Sequence, residues 1–107
     1  MTSFDDREAS FENKFKHDKE LEFRAVSRRN KMLGLWAANL IGIHGAEAEA
    51  YAKTVIAADF QHHGDQDLVD KLLGDFKQHG VEMSEHRLRK QMSELLQTAI
   101  AQVRSEA

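Results

Sequence analysis

No cysteine and no proline occur anywhere in the chain, and tyrosine and tryptophan appear once each. Without cysteine, a disulfide framework, a thiol nucleophile and every cysteine-based zinc site are excluded, which suits a reducing compartment. The shortage of turn and strand formers, beside many Ala, Glu, Lys, Gln and Leu, argues against a sandwich or barrel and for helices. Long apolar runs are missing too. The longest uncharged stretch, 32–46, is broken by Gly34, Asn39, Gly42 and Gly45 and is too short for a membrane span. The start, Met1 to Asp6, is acidic and polar, so no secretory signal, no direct membrane insertion and a cytoplasmic location are expected.

What is present is a chain of 107 residues, 41% hydrophobic and 31% charged, enough for one domain with a modest core. The net charge of −3 is uneven, because residues 1–45 carry +1 and residues 46–107 carry −4. That balance gives no global field for nucleic acid, which is not expected as a partner.

The apolar spacing predicts an all-α, antiparallel four-helix bundle. Leu88, Met92, Leu95, Ala99 and Val103, with Leu96 and Ile100 beside them, form the face of a helix over about 85–105 that Ser84 caps. Asp65 opens a helix over about 66–79 that presents Leu68, Val69, Leu72, Leu73 and Phe76 and stops before Gly80. Tyr51, Ala52, Val55, Ile56 and Ala58 mark a third over about 46–62, with Glu47 and Glu49 at its positive end. Two adjacent strips, Leu21, Ala25, Met32, Leu35 and Val26, Leu33, Ala37, Leu40, mark the first over about 19–42. Connections of a few residues make these helices antiparallel neighbours.

The first eighteen residues depart from this pattern. Their large apolar groups after Met1 are Phe4, Phe11 and Phe15, spaced by seven and four on one narrow helical face among many charges. One reading makes 1–18 a segment that is frayed or disordered when free and reserved for a partner's groove, with 19–107 as the bundle. The other starts the first helix at Ser3 and uses the rings to extend the core.

At this point the residues carry a resemblance. Phe4-Asp5-Asp6-Arg7-Glu8, Phe11-Glu12-Asn13-Lys14-Phe15, Arg28-Arg29-Asn30-Lys31 and Gly34-Leu35-Trp36-Ala37, in this order and with Ala57-Ala58-Asp59-Phe60 further on, are similar to the zeta subunit. That family is the inhibitor protein of the F-type ATP synthase in alpha-proteobacteria. The likeness is densest in 4–37 and loosest after about Gly80. It implies a four-helix body with a mobile N-terminal inhibitory segment, which docks between alpha and beta subunits of the catalytic head, approaches the gamma rotor and blocks ATP hydrolysis. On that reading Phe4, Asp5, Arg7, Glu8, Phe11, Lys14 and Phe15 bind the partner, and the protein sits at the inner membrane only through the synthase. No catalytic residue, required cofactor or metal is expected; ADP or ATP is implied as a regulatory ligand.

Arg28, Arg29 and Lys31 are candidate phosphate ligands and Trp36 a candidate adenine platform, although helical rotation keeps the three cations from one compact patch and a lone tryptophan amid leucines reads first as core. Six histidines, including His62, His63, His79 and His86, lack the spacing that brings two ligands onto one face, and suit helix ends instead. Gly42-Ile43-His44-Gly45 follows a helix and lacks the Lys-Ser/Thr of a phosphate loop, so it reads as a turn. The competing function is a small helical adenine-nucleotide sensor whose tail is not the effector.

Overall fold

Two of the helices end at a glycine that the sequence marks as a stop. A computed structural model describes the backbone of residues 3–61 and 65–106, with side chains over 18–59 and 65–106. The helices are α1 (Ser3–Ile41), α2 (Ala46–Gln61), α3 (Asp65–Gln78) and α4 (Glu85–Glu106), and no strand occurs among the described residues. Gly80 takes φ +72°, and with it the Val81 amide donates to the Phe76 carbonyl at 2.8 Å and the Gly80 amide to Lys77. That pair of bonds satisfies the last carbonyls of α3 through a conformation glycine adopts without a Cβ penalty. Gly42, at φ +84°, closes α1 in the same way, with Ile43 donating to Ala38. At the opposite end of a helix, the Ser84 hydroxyl accepts from the Arg87 amide at 3.1 Å and caps α4.

Contacts along the helices fix their directions. Asn30 meets Asp59 and Gly34 lies on Ala52, so α2 returns antiparallel to α1. Arg29 meets Asp65 and Trp36 meets Phe76, so α3 runs parallel to α1; Trp36 lies near Arg87 and Ala25 near Val103, so α4 returns again. The result is an up-down-up-down bundle.

Among the described residues, two apolar regions hold it together. The larger joins all four helices through Leu33, Ala37, Val55, Leu68, Val69, Leu72, Phe76, Leu88 and Met92, every one of them buried. The smaller is a seam between α1 and α4 alone, made by Ala25, Ala99 and Val103 with Leu21, Met32, Leu96 and Ile100. Asp59, near the end of α2, and Asp65, at the start of α3, come level with Asn30 and Arg29, and past that level α1 and α4 continue as a pair.

The first helix exceeds the span 19–42 that apolar spacing predicts. Its backbone is helical from Ser3, through a stretch whose first break, Gly34, lies far downstream and whose Asp5, Asp6 and Glu8 stand at the positive helix end. At 39 residues α1 is about 25 Å longer than the 22-residue α4. The excess falls at its N-terminal side, since its C-terminal half is matched by α2 and α4. This overhang gives the molecule a long dimension of 67 Å and a radius of gyration of 17.5 Å, against about 13 Å for a compact chain of this size.

Candidate functional site

The residues with chemical potential fall into three places. The side chains of Phe4, Asp5, Arg7, Glu8, Phe11, Lys14 and Phe15 lie outside the described residues, as do those of His62 and His63; the helical backbone of α1 carries the first seven.

The second place is the basic stretch of α1. Arg28 reaches α4, where its guanidinium donates to both carboxylate oxygens of Glu106, at 2.5 and 2.8 Å. This fork-to-fork pair raises the Arg28 pKa and lowers that of Glu106, the hydrogen bonds being the leading cause in each case. Arg29, one position on, turns toward α3 and is buried. Its Nε donates to Asn30 Oδ1 at 2.9 Å and one terminal nitrogen to Asp65 at 3.3 Å, while Asn30 Nδ2 donates to Asp59 at 2.7 Å. Arg29, Asn30, Asp59 and Asp65 thus tie three helices together near the end of α2 and the start of α3, and give a buried charge the partners it needs.

Lys31 is exposed and shares a hollow of about 430 Å³ with Phe23, Arg24, Ser27, Arg28, Ile56, Val103 and Glu106. Trp36 lies elsewhere, half-buried and edge-on to Phe76 with ring centroids 5.7 Å apart. The four candidate nucleotide ligands therefore divide: Arg28 and Lys31 share one hollow, Arg29 belongs to the polar network, and Trp36 packs against the core. Arg24, which sequence reading passed over, joins Arg28 and Lys31 at spacings of four and three on one face of α1.

The third place is on α2 and α3. The Tyr51 hydroxyl donates to Asp75 at 2.6 Å, and Lys71 donates to the same carboxylate at 2.9 Å while lying 5.2 Å from the Tyr51 ring centroid. Burial, and then the bond to Asp75, push the Tyr51 phenol well above its ordinary pKa. Of the histidines, His79 sets its ring Nδ1 2.9 Å from the Asp75 carbonyl at the end of α3, and His44 and His86 are exposed. Among the described residues no group of three or more His, Asp or Glu side chains converges as a metal site, and no helix is long and apolar enough to cross a membrane.

Charged side chains that tie helices together, on a bundle with one helix much longer than the rest, define a small all-α bundle. The chain belongs to the family of ATPase inhibitor subunit zeta, which matches residues 1–102. A protein whose structure was solved by NMR in solution is similar to it, at 39% identity and a TM-score of 0.70, with 81% of this chain and 99% of that one covered. No curated protein matches the chain. An ATPase inhibitor family makes the ATP synthase the partner and regulation the role.

Proposed function

We propose that the overhanging N-terminal part of α1 is the inhibitory element, with residues 1–18 acting on the catalytic head and 19–107 supporting them. The observation that carries this reading is the mismatch in helix length, which leaves about 25 Å of α1 beyond what α4 can cover. That stretch holds Phe4, Phe11 and Phe15 at spacings of seven and four. Burial of each ring in a partner is worth about 1.5–3 kcal/mol, enough for three to offset much of the ordering entropy of a short segment. Asp5, Arg7, Glu8 and Lys14 then fix register more than affinity.

The docking site in this reading is an interface between alpha and beta subunits close to the gamma rotor. A rotary enzyme must open and close that interface in each cycle, so a helix wedged there stops hydrolysis without doing chemistry. Removal of residues 1–18 should abolish inhibition of an alpha-proteobacterial ATPase head while keeping the cooperative thermal transition of the bundle. Phe11→Ala and Phe15→Ala should each weaken inhibition about tenfold or more. Retained inhibition by the truncated chain would defeat the reading.

A regulatory role for ADP or ATP is favoured by one specific feature, the hollow where Arg24, Arg28 and Lys31 flank Phe23 and Ser27. Three cations beside an aromatic ring suit a phosphate-bearing, base-bearing ligand. Because Glu106 already occupies Arg28, nucleotide would enter by exchange with that carboxylate and release the end of α4. Glu106→Gln should therefore bind ADP more tightly in a calorimetric titration, and Arg24→Ala more weakly.

A further inference from the structure

We infer that the open groove between the N-terminal part of α1 and the C-terminal part of α4 receives an amphipathic helix of the ATP synthase head, one carrying a lysine or arginine, as a second contact of the inhibitory complex. The inference rests on the reading of residues 1–18 as the docking segment and extends it onto the bundle.

The groove holds about 420 Å³. Leu21, Ala25 and Val26 line it from α1, and Leu96, Ile100 and Val103 from α4. Asp18 and Glu22 stand along the α1 edge and Arg104 along the α4 edge. It exists because α2 ends and α3 begins close to the level of Arg29 and Asn30, so the inner face of the α1–α4 pair below that level lacks the two helices that cover it above.

Register on α1 links this groove to the docking segment. Positions 4, 11, 15, 22, 26, 33 and 37 follow alternating steps of seven and four, which keeps all seven within about 80° of one another on an α-helix. At the upper end of this line Leu33 and Ala37 are fully buried in the bundle, covered by α2 and α3. Its middle is Val26 and Glu22 at the groove, and its lower end carries the three phenylalanine positions. One line of α1 thus runs from its own chain's helices, past the groove, into the docking segment. A partner element running along positions 4, 11 and 15 passes without a change of face onto Glu22 and Val26, with Leu96, Ile100 and Val103 beside it. A slot between two helices fits a third helix. The exposed carboxylates of Asp18 and Glu22 call for a base at its edge.

The chain has no cysteine, so a single introduced thiol is unique. The test uses the full-length chain with Ile100→Cys carrying a photoreactive label, the same label at an exposed position on α2 (Glu47→Cys), and the unlabelled variant Glu22→Arg, all assayed on the ATPase head. Expected are a cross-link from position 100 to a subunit of the head, none from position 47, and roughly a tenfold higher half-inhibiting concentration for Glu22→Arg with its thermal transition intact. Absence of the cross-link together with unchanged inhibition by Glu22→Arg overturns the groove contact, as does a cross-link joining two copies of this chain. If the chain lacking residues 1–18 still inhibits, the docking reading itself has failed, which is a separate result.

Discussion

Gly34 of α1 lies so close to α2 that a methyl group on it would stand 2.6 Å from the Cα of Ala52 and 3.0 Å from its Cβ. The nearer atom is backbone, so relief requires the two helices to move apart. Gly34→Ala should therefore destabilise the bundle by about 1–3 kcal/mol despite alanine's better helix propensity, lowering the Tm by roughly 5–15 °C. Gly74 provides the internal control. It lies within α3 with open space around its missing Cβ and no unusual backbone angle. Gly74→Ala should stabilise by about 0.5–1 kcal/mol. Thermal melts of the two variants with opposite signs check both statements.

Asn30 is 1% exposed, yet leucine at this position should be worse, not better. Its amide accepts from Arg29 and donates to Asp59, so an apolar replacement leaves a buried guanidinium and a partly buried carboxylate each short of a partner. The expected cost of Asn30→Leu is about 2–3 kcal/mol by chemical denaturation. Asn39→Leu, at an exposed site on the same helix, should stay within about 0.5 kcal/mol.

Tyr51 should remain un-ionised well past the pH at which a free phenol titrates. Its pKa is raised in the fold, so folding favours the protonated form. The associated stability is complete below the ordinary value of 10.0 and is lost as pH rises through the raised folded value. As the chain has one tyrosine, its phenolate absorbance is an unambiguous probe. The absorbance should rise above pH 10 and in step with the loss of helical circular dichroism. An earlier rise, with helicity intact, would contradict the burial of the phenol and its bond to Asp75.

The bundle was legible in the sequence because apolar spacing and end signals agree. Leu68, Val69, Leu72 and Phe76 recur on one face, and Ser84, Gly42 and Gly80 punctuate the ends. The start of α1 stayed open between Ser3 and about residue 19, because apolar spacing marks only the part of a helix that packs on its own chain. Polar cross-links between helices were equally hidden. Asn30 stands in the charged run Arg28-Arg29-Asn30-Lys31, which reads as a solvated face, and Asp59 and Asp65 come from the ends of other helices, so no spacing rule joins them. The same limit applies to Arg28, whose partner Glu106 is 78 residues away.

That last pair gives a pH-dependent prediction with a built-in check. Glu106 occupies the final turn of α4, where the helix dipole disfavours a negative charge, and the Arg28 guanidinium compensates it. Its pKa is lowered in the fold, so the pair's contribution is complete above the unfolded carboxylate value of 4.5 and is lost as pH falls through the lowered folded value. Glu106→Gln should lower the Tm at neutral pH, and the gap to the parent should close in acid. Arg28→Gln should be the more damaging of the two at neutral pH, because it leaves the carboxylate at the negative end of the helix with only the weaker pull of Arg24. In acid the carboxylate is protonated in the Arg28→Gln protein as well, so the two variants should converge. Melting curves that keep them apart below the carboxylate range would show that Arg28 stabilises α4 by packing rather than by charge.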